Sequence, residues 1–239
     1  MLMVFLFIYI TSNYYILKLL GGNNLKIGET KLNSDFNKML NNEHVLVEND
    51  TLQDLFKKYK RFYEAESFLE SLEILTQTLN KGFSHAEFEM GKHHYFGNDQ
   101  LGVVKDYLKA FKYFSEAADQ GHAGALYYQG IMYLEGLGVV LDINQALLSL
   151  NNAAIQGETE AIDTLGKIYQ FGYSNILPDY KKAESYYKNA VKLGYPPSML
   201  NLAVLLEKQF RFEEAYELII ESAKLGYMGA IHYGLSTYK

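Results

Sequence analysis

The sequence predicts an all-α fold, a solenoid of about four to five helix-turn-helix repeats. Three observations lead there. Small residues recur at nearly constant distance: Gly91 to Gly130 is 39 residues, Gly130 to Gly166 is 36, Gly121 to Gly157 is 36 and Gly157 to Gly194 is 37. A fixed period of this length marks stacked helical hairpins, none of which buries its apolar face alone. Within each period, small and apolar residues fall at i, i+3, i+4 and i+7, one face of a 3.6-residue helix. Finally, only three prolines interrupt 239 residues, and proline is the strongest helix breaker.

Residues 1–22 form an apolar N-terminal segment headed by MLMVFLFIYI. Ten helical residues reach roughly 15 Å, half a bilayer core. Thr11, Ser12, Asn13 and Lys18 interrupt an extension to Leu20. The run has the length of a signal-peptide core but lacks a positive n-region and an Ala-x-Ala site. Three readings stand: an export signal or membrane anchor, an apolar helix packed on the fold, and a start codon placed too early. The first is preferred. It favours an exported (periplasmic or secreted) or membrane-anchored chain, tethered through residues 1–20, over a cytoplasmic one. Residues 23–44 are rich in Asn, Lys and Gly and read as a linker with at most one short helix over 35–40.

Residues 45–83 read as a degenerate capping repeat. Asn49-Asp50-Thr51 can cap a helix running to about Tyr59, and it also matches a glycosylation sequon. Ser71, Ile74, Leu75 and Thr78 then carry the second-helix pattern. Terminal repeats are atypical because one face meets solvent.

Residues 84–239 form the repeat domain. Its units span 86–121, 125–157, 161–194 and 198–226, and a first helix of a fifth lies near Gly229 and Gly234. The second-helix core positions are Ala110, Tyr113, Phe114 and Ala117; Ala146, Ser149, Leu150 and Ala153; Ala183, Tyr186, Tyr187 and Ala190; and Ala215, Leu218, Ile219 and Ser222. Alternating small and large residues let helices approach closely while aromatic rings fill the gaps. Asp106, Asp142 and Asp179 each stand four residues before the first alanine, as N-caps do. Gly121, Gly157, Gly194 and Gly226 fit left-handed positions after a helix end. Gly136-x-Gly138 permits a tight link between helices.

This pattern resembles the Sel1-like repeat family. The marks are A-x-x-x-x-G-x-x-Y-x-x-G-x-G-V, then Asp, Ala and A-A-x-x-G, and 125–157 carries them nearly complete. Unit 86–121 has His94 in the tyrosine position and three extra loop residues. Unit 161–194 replaces the Gly-Val turn with residues 173–178. Unit 198–226 has lost the loop glycines and has Arg211 at the Asp position. Tetratricopeptide repeats fit less well, having a shorter period and no Gly-x-Gly loop. The resemblance covers about 150 residues. It implies a right-handed superhelix that holds proteins together and offers no catalytic residue, metal ligand or cofactor to carry over.

Composition narrows the function further. A net charge of −6 and no basic run disfavour nucleic acid. With no cysteine there is no disulfide, zinc thiolate or cysteine nucleophile. No H-E-x-x-H or G-x-S-x-G motif occurs. Gly136-Leu137-Gly138 lacks the strand and the Gly-Lys-Ser/Thr ending of a phosphate loop and reads as a turn. His94 reads as a buried, hydrogen-bonded histidine rather than a ligand, with His93 facing another way.

The leading reading is a non-enzymatic scaffold that binds a protein or peptide. In a solenoid the first helices line the concave surface. Taking Ala125, Gln129 and Tyr133 as the inward face, positions 2, 3, 6 and 10 residues after each leading alanine fall on the far side. That strip mixes aromatics with both signs of charge, a composition enriched at binding patches. The partner-binding residues it gives are Phe88, Glu89, Lys92, Tyr127, Tyr128, Ile131, Asp163 and Lys167. Glu135, Thr164, Phe96 and Phe171 belong to the same strip. Several of these aromatics also suit packing between repeats.

Two alternatives accompany the resemblance. One is a hydrolase of the β-lactamase-like kind on the same solenoid, as described for cysteine-rich members. The absence of cysteine and of a nucleophile–base pair argues against it. The other is an envelope or cell-wall regulatory adaptor, which depends on residues 1–20.

Overall fold

The computed structural model describes residues 50–237. The apolar N-terminal segment, the linker and the helix expected over 35–40 lie outside them. Eleven helices are described: α1 (Leu52–Glu64), α2 (Phe68–Asn80), α3 (Ser84–Phe96), α4 (Tyr107–Asp119), α5 (Ala123–Glu135), α6 (Ile143–Ile155), α7 (Thr159–Phe171), α8 (Tyr180–Lys192), α9 (Pro196–Glu207), α10 (Phe212–Lys224) and α11 (Met228–Thr237). Among the described residues the only β pairing is two isolated bridges in loops, Asn98 with Val103 and Tyr173 with Ile176.

Each odd-numbered helix from α1 to α9 packs against the helix that follows it, and each pair packs against the next, so the chain forms five hairpins and a final single helix. Sequence chemistry sets the boundaries. The carboxylates of Asp106, Asp142 and Asp179 accept from the N–H groups of Lys109, of Asn144 and Gln145, and of Lys182. These donors have no partner within the helix. At the other end, Gly121, Gly157, Gly194 and Gly226 adopt φ between +77° and +86°. The next residue then donates five residues back: His122 to Ala117, Glu158 to Ala153, Tyr195 to Ala190, Tyr227 to Ser222. This satisfies carbonyls at the helix end. Arg211 stands where the fourth Asp would be and caps nothing. Its guanidinium instead spans Glu214 and Glu184 at 2.6 and 2.9 Å, tying α10 to α8.

The core runs along the seam between first and second helices. Ala110, Phe114 and Ala117, then Ala146, Leu150 and Ala153, then Ala183, Tyr187 and Ala190 are wholly buried. Glycines of the first helices admit the bulky rings and chains. A Cβ on Gly91, Gly130 or Gly166 would sit 2.6, 2.7 or 2.5 Å from Phe114, Leu150 or Tyr187. The first hairpin obeys the same pattern: Ser71, Ile74, Leu75 and Thr78 are all fully buried. Helix α1 runs to Glu64, beyond the end expected near Tyr59. Among the described residues no helix is long and apolar enough to cross a membrane.

Candidate partner-binding face

The first helices α7, α9 and α11 approach one another directly. In a curved stack the more closely spaced row lies on the inside, so the first helices form the inner face. A first helix there is touched by its own second helix, by the second helix of the preceding repeat and, along α7, α9 and α11, by its neighbouring first helices. Only a narrow stripe stays open. At about 100° per residue, positions 3, 6 and 10 after the leading alanine lie within about 60° of one another, whereas position 2 points about 70° away from that stripe's centre.

The burial follows this geometry. Phe96, Glu135 and Phe171, at position 10, are exposed. Position 2 is taken up by neighbouring repeats. Phe88 stacks on His122 at 4.3 Å between ring centroids, and Tyr127 packs against the core that α6 and α7 share. Asp163 is 2% exposed. It accepts from Ser198 and, at 2.8 Å, from Asn201, and pairs with Lys167 at 2.7 Å. Asp163 was expected on the open strip, but it bridges α7 and α9 inside the stack. Lys167 remains exposed above it.

The other expected residues are half-buried on the inner face. Glu89 and Lys92 pair at 2.9 Å, with the Lys92 ammonium 5.1 Å over the Phe88 ring. Tyr128 lays one face on Phe114 at 4.8 Å and 9°. Ile131 packs against the same core as Tyr127. Phe88, Tyr127 and Ile131 therefore pack against neighbouring repeats, while Glu89, Lys92 and Tyr128 line an open cleft and Lys167 is exposed.

Glu89, Lys92 and Tyr128 meet in a cleft of about 620 Å3, closed by Tyr59, Lys60, Tyr63 and Glu64 of α1, by His93 and Phe96 of α3, and by Asn98. The α1 residues were not legible as a site, because that hairpin reads only as a degenerate cap. The two histidines also exchange roles. His93 is the buried one, bonded to Tyr59 and Asn98. His94 is half-buried, stacked on Tyr113 at 5.7 Å, with Nδ1 3.3 Å from the Val104 carbonyl. Tyr169 stacks on Tyr186 in the same way, at 5.6 Å and 3°. The repeat's tyrosine position is thus half-buried, stacking at His94 and Tyr169 and meeting Phe111 edge-on at Tyr133, and its preceding residue (His93, Met132, Ile168) is buried.

Past Tyr128 the face turns acidic. Burial and the hydrogen bond and charge of Glu160 push the Glu158 carboxyl up to about 7, while Glu160 is held below its ordinary value by that bond. Burial raises the Tyr128 phenol, and Glu160, Glu158 and Glu89 add to it. A carboxyl whose folded value lies above its unfolded 4.5 favours folding most below pH 4.5. That contribution is lost as pH rises through about 7. Glu158→Gln, which fixes the neutral form, is expected to be more stable than the wild type at pH 8 by about 1 kcal/mol, after discounting for solvent screening. Urea unfolding should show the difference vanish near pH 4.5.

Among the described residues no group of three or more His, Asp or Glu side chains is placed to hold a metal ion.

Comparison with known proteins agrees with this geometry. The family model described as Sel1 repeat matches residues 84–122, 123–157 and 160–195. The chitin synthase regulator SKT5 of Saccharomyces cerevisiae is 32% identical over 115 residues, 45% of this chain and 16% of that protein. Chitin synthase regulatory factor 4 of Schizosaccharomyces pombe is 29% identical over 153 residues, 62% of this chain and 24% of that protein. The matches thus span less than a quarter of either relative. A Sel1 repeat protein from Oxalobacter formigenes superposes with a TM-score of 0.66 at 23% identity, covering 73% of this chain and 71% of the other, a likeness of fold. Three tandem family matches on the helix pairs α3–α4, α5–α6 and α7–α8, within a solenoid of that fold, mark residues 84–195 of this chain as a tract of three Sel1 repeats.

Proposed function

We propose that the chain is a non-catalytic scaffold that holds a protein partner against the inner face of its first helices. The cleft between α1, α3 and α5 carries this reading. It gathers aromatic rings, two lysines and two carboxylates at one concave place, a ligand-binding shape with the aromatic enrichment of interaction surfaces. Phe96 and Phe171 are 61% and 64% exposed at the open edge of that face. Replacing both by serine should lower partner recovery from a native lysate at least fivefold and leave the unfolding midpoint unchanged. The matched control is Leu148→Ser with Ile155→Ser on α6, also exposed, which should recover partner normally. The reverse pattern would move the binding face to the second helices.

An adaptor at the cell envelope is the more specific form of this reading. Its support is the likeness to two proteins named as chitin synthase regulators and the apolar run at residues 1–10. Fractionation tests it: the full chain should enter the membrane or exported fraction, and a chain lacking residues 1–22 should not. Equal distribution of the two would remove the envelope from the proposal.

A further inference from the structure

The hydrogen bonds behind the cleft have a fixed direction, and the direction says what the cleft presents. The Leu101 N–H donates to Asn98 Oδ1 at 3.1 Å, which identifies that atom as the oxygen. The amide nitrogen then donates both to His93 Nδ1 and to the Tyr63 hydroxyl oxygen, each at 3.0 Å. An imidazole that accepts at Nδ1 carries its proton on Nε2. His93 therefore donates to the Tyr59 oxygen, 2.9 Å away. Burial lowers the His93 pKa, in keeping with the neutral ring. Both phenols accept, and among the described residues neither O–H hydrogen meets an acceptor of its own. Tyr59 and Tyr63 thus bring two oriented donors to the cleft wall.

The charges beside them cancel in number. Two lysines, Lys60 and Lys92, and two carboxylates, Glu64 and Glu89, line the cleft, and Lys92 is already held by Glu89. An ionic ligand would find no net complement, whereas a neutral chain of alternating acceptors and donors would find both. Tyr128 gives a face to Phe114 and Tyr63 meets Phe68 edge-on, so the cleft offers hydroxyls rather than the run of open ring faces a sugar would need.

We propose that this cleft binds an extended segment of a partner protein, whose backbone carbonyl oxygens accept from the Tyr59 and Tyr63 hydroxyls while one apolar side chain lodges beside Phe96 and Tyr128. This rests on the inner-face scaffold reading and names the chemistry of its partner.

The test uses an array of N-acetylated, C-amidated hexapeptides of varied sequence, from which the strongest binder is labelled and titrated with the full chain by fluorescence anisotropy. Tyr63→Phe keeps the ring and removes one donor, and should weaken binding about fivefold with no change in unfolding midpoint. Asn98→Asp turns the amide donor into an acceptor, so Tyr63 must donate inward. Its loss should be at least as large, and it carries the test if Tyr63→Phe does not fold. Affinity should change less than twofold between 50 and 500 mM salt, as expected of a neutral ligand. Several results overturn the proposal: no hexapeptide binding, equal affinity for wild type and both variants, a tenfold loss with salt, or tighter binding of an N-acetylglucosamine hexamer. Each leaves the inner-face reading to the Phe96 and Phe171 experiment, which does not involve Tyr63.

Discussion

Gly138→Ala is expected to destabilise the protein by about 3 kcal/mol, more than an ordinary loop substitution. Two effects add. Gly138 has φ +67°, where a Cβ costs about 1–2 kcal/mol. The Cβ would also lie 2.2 Å from the Tyr107 carbonyl oxygen and 2.8 Å from the Leu108 nitrogen. Those atoms are backbone in the first turn of α4 and cannot swing aside, so the α5–α6 link must lift off the preceding repeat. Gly157→Ala separates the two effects. Its φ is +86° and a Cβ there meets nothing within 4 Å. It should cost only the conformational term, about 1 kcal/mol. Urea unfolding of the pair decides: equal losses would mean that the link does not brace the stack.

Asp163→Ala should cost about 3 kcal/mol as well, through unpaired groups rather than a clash. Asp163 holds Ser198, Asn201 and Lys167 together, and Ser198 is wholly buried. Alanine leaves a buried hydroxyl with no acceptor and frees an ammonium whose partner is gone. Asp163→Asn keeps an acceptor for Ser198 and should cost about 1 kcal/mol. The loss should appear as reduced protection of α7 and α9 in hydrogen exchange, since these are the helices it joins. An unchanged midpoint for Asp163→Ala would show that the bridge adds nothing.

These two residues also show what could be read from the sequence. The Asp caps and the left-handed turn at Gly138 are local devices whose spacing to the next helix is visible in one dimension, whereas the Tyr107 carbonyl that Gly138 must clear belongs to the preceding repeat. The second-helix core is equally local, down to Ser71 and Thr78 in the divergent first hairpin. Asp163 was not legible in the same way. Its partners lie 35 and 38 residues further on in the next repeat, and the face of a helix that meets a neighbour depends on how the stack curves. Treating half of each first helix as open therefore placed Phe88, Tyr127 and Asp163 on the surface, when neighbouring helices narrow the open part to a stripe. Assigning His94 to the core failed for a related reason, because the tyrosine it replaces is itself half-buried. The cleft was the least legible part. Tyr59, Tyr63, His93 and Asn98 come from two hairpins, and the first of them carries few of the marks that define the repeat.

The most direct measurement of where partners dock places photoreactive benzoylphenylalanine at Phe96 on the inner face or at Leu148 on α6, two sites of similar exposure (61% and 55%). Irradiation in a native lysate should join a partner of one discrete mass at position 96 and none at position 148. The same adduct from both positions, or from 148 alone, would contradict an inner binding face.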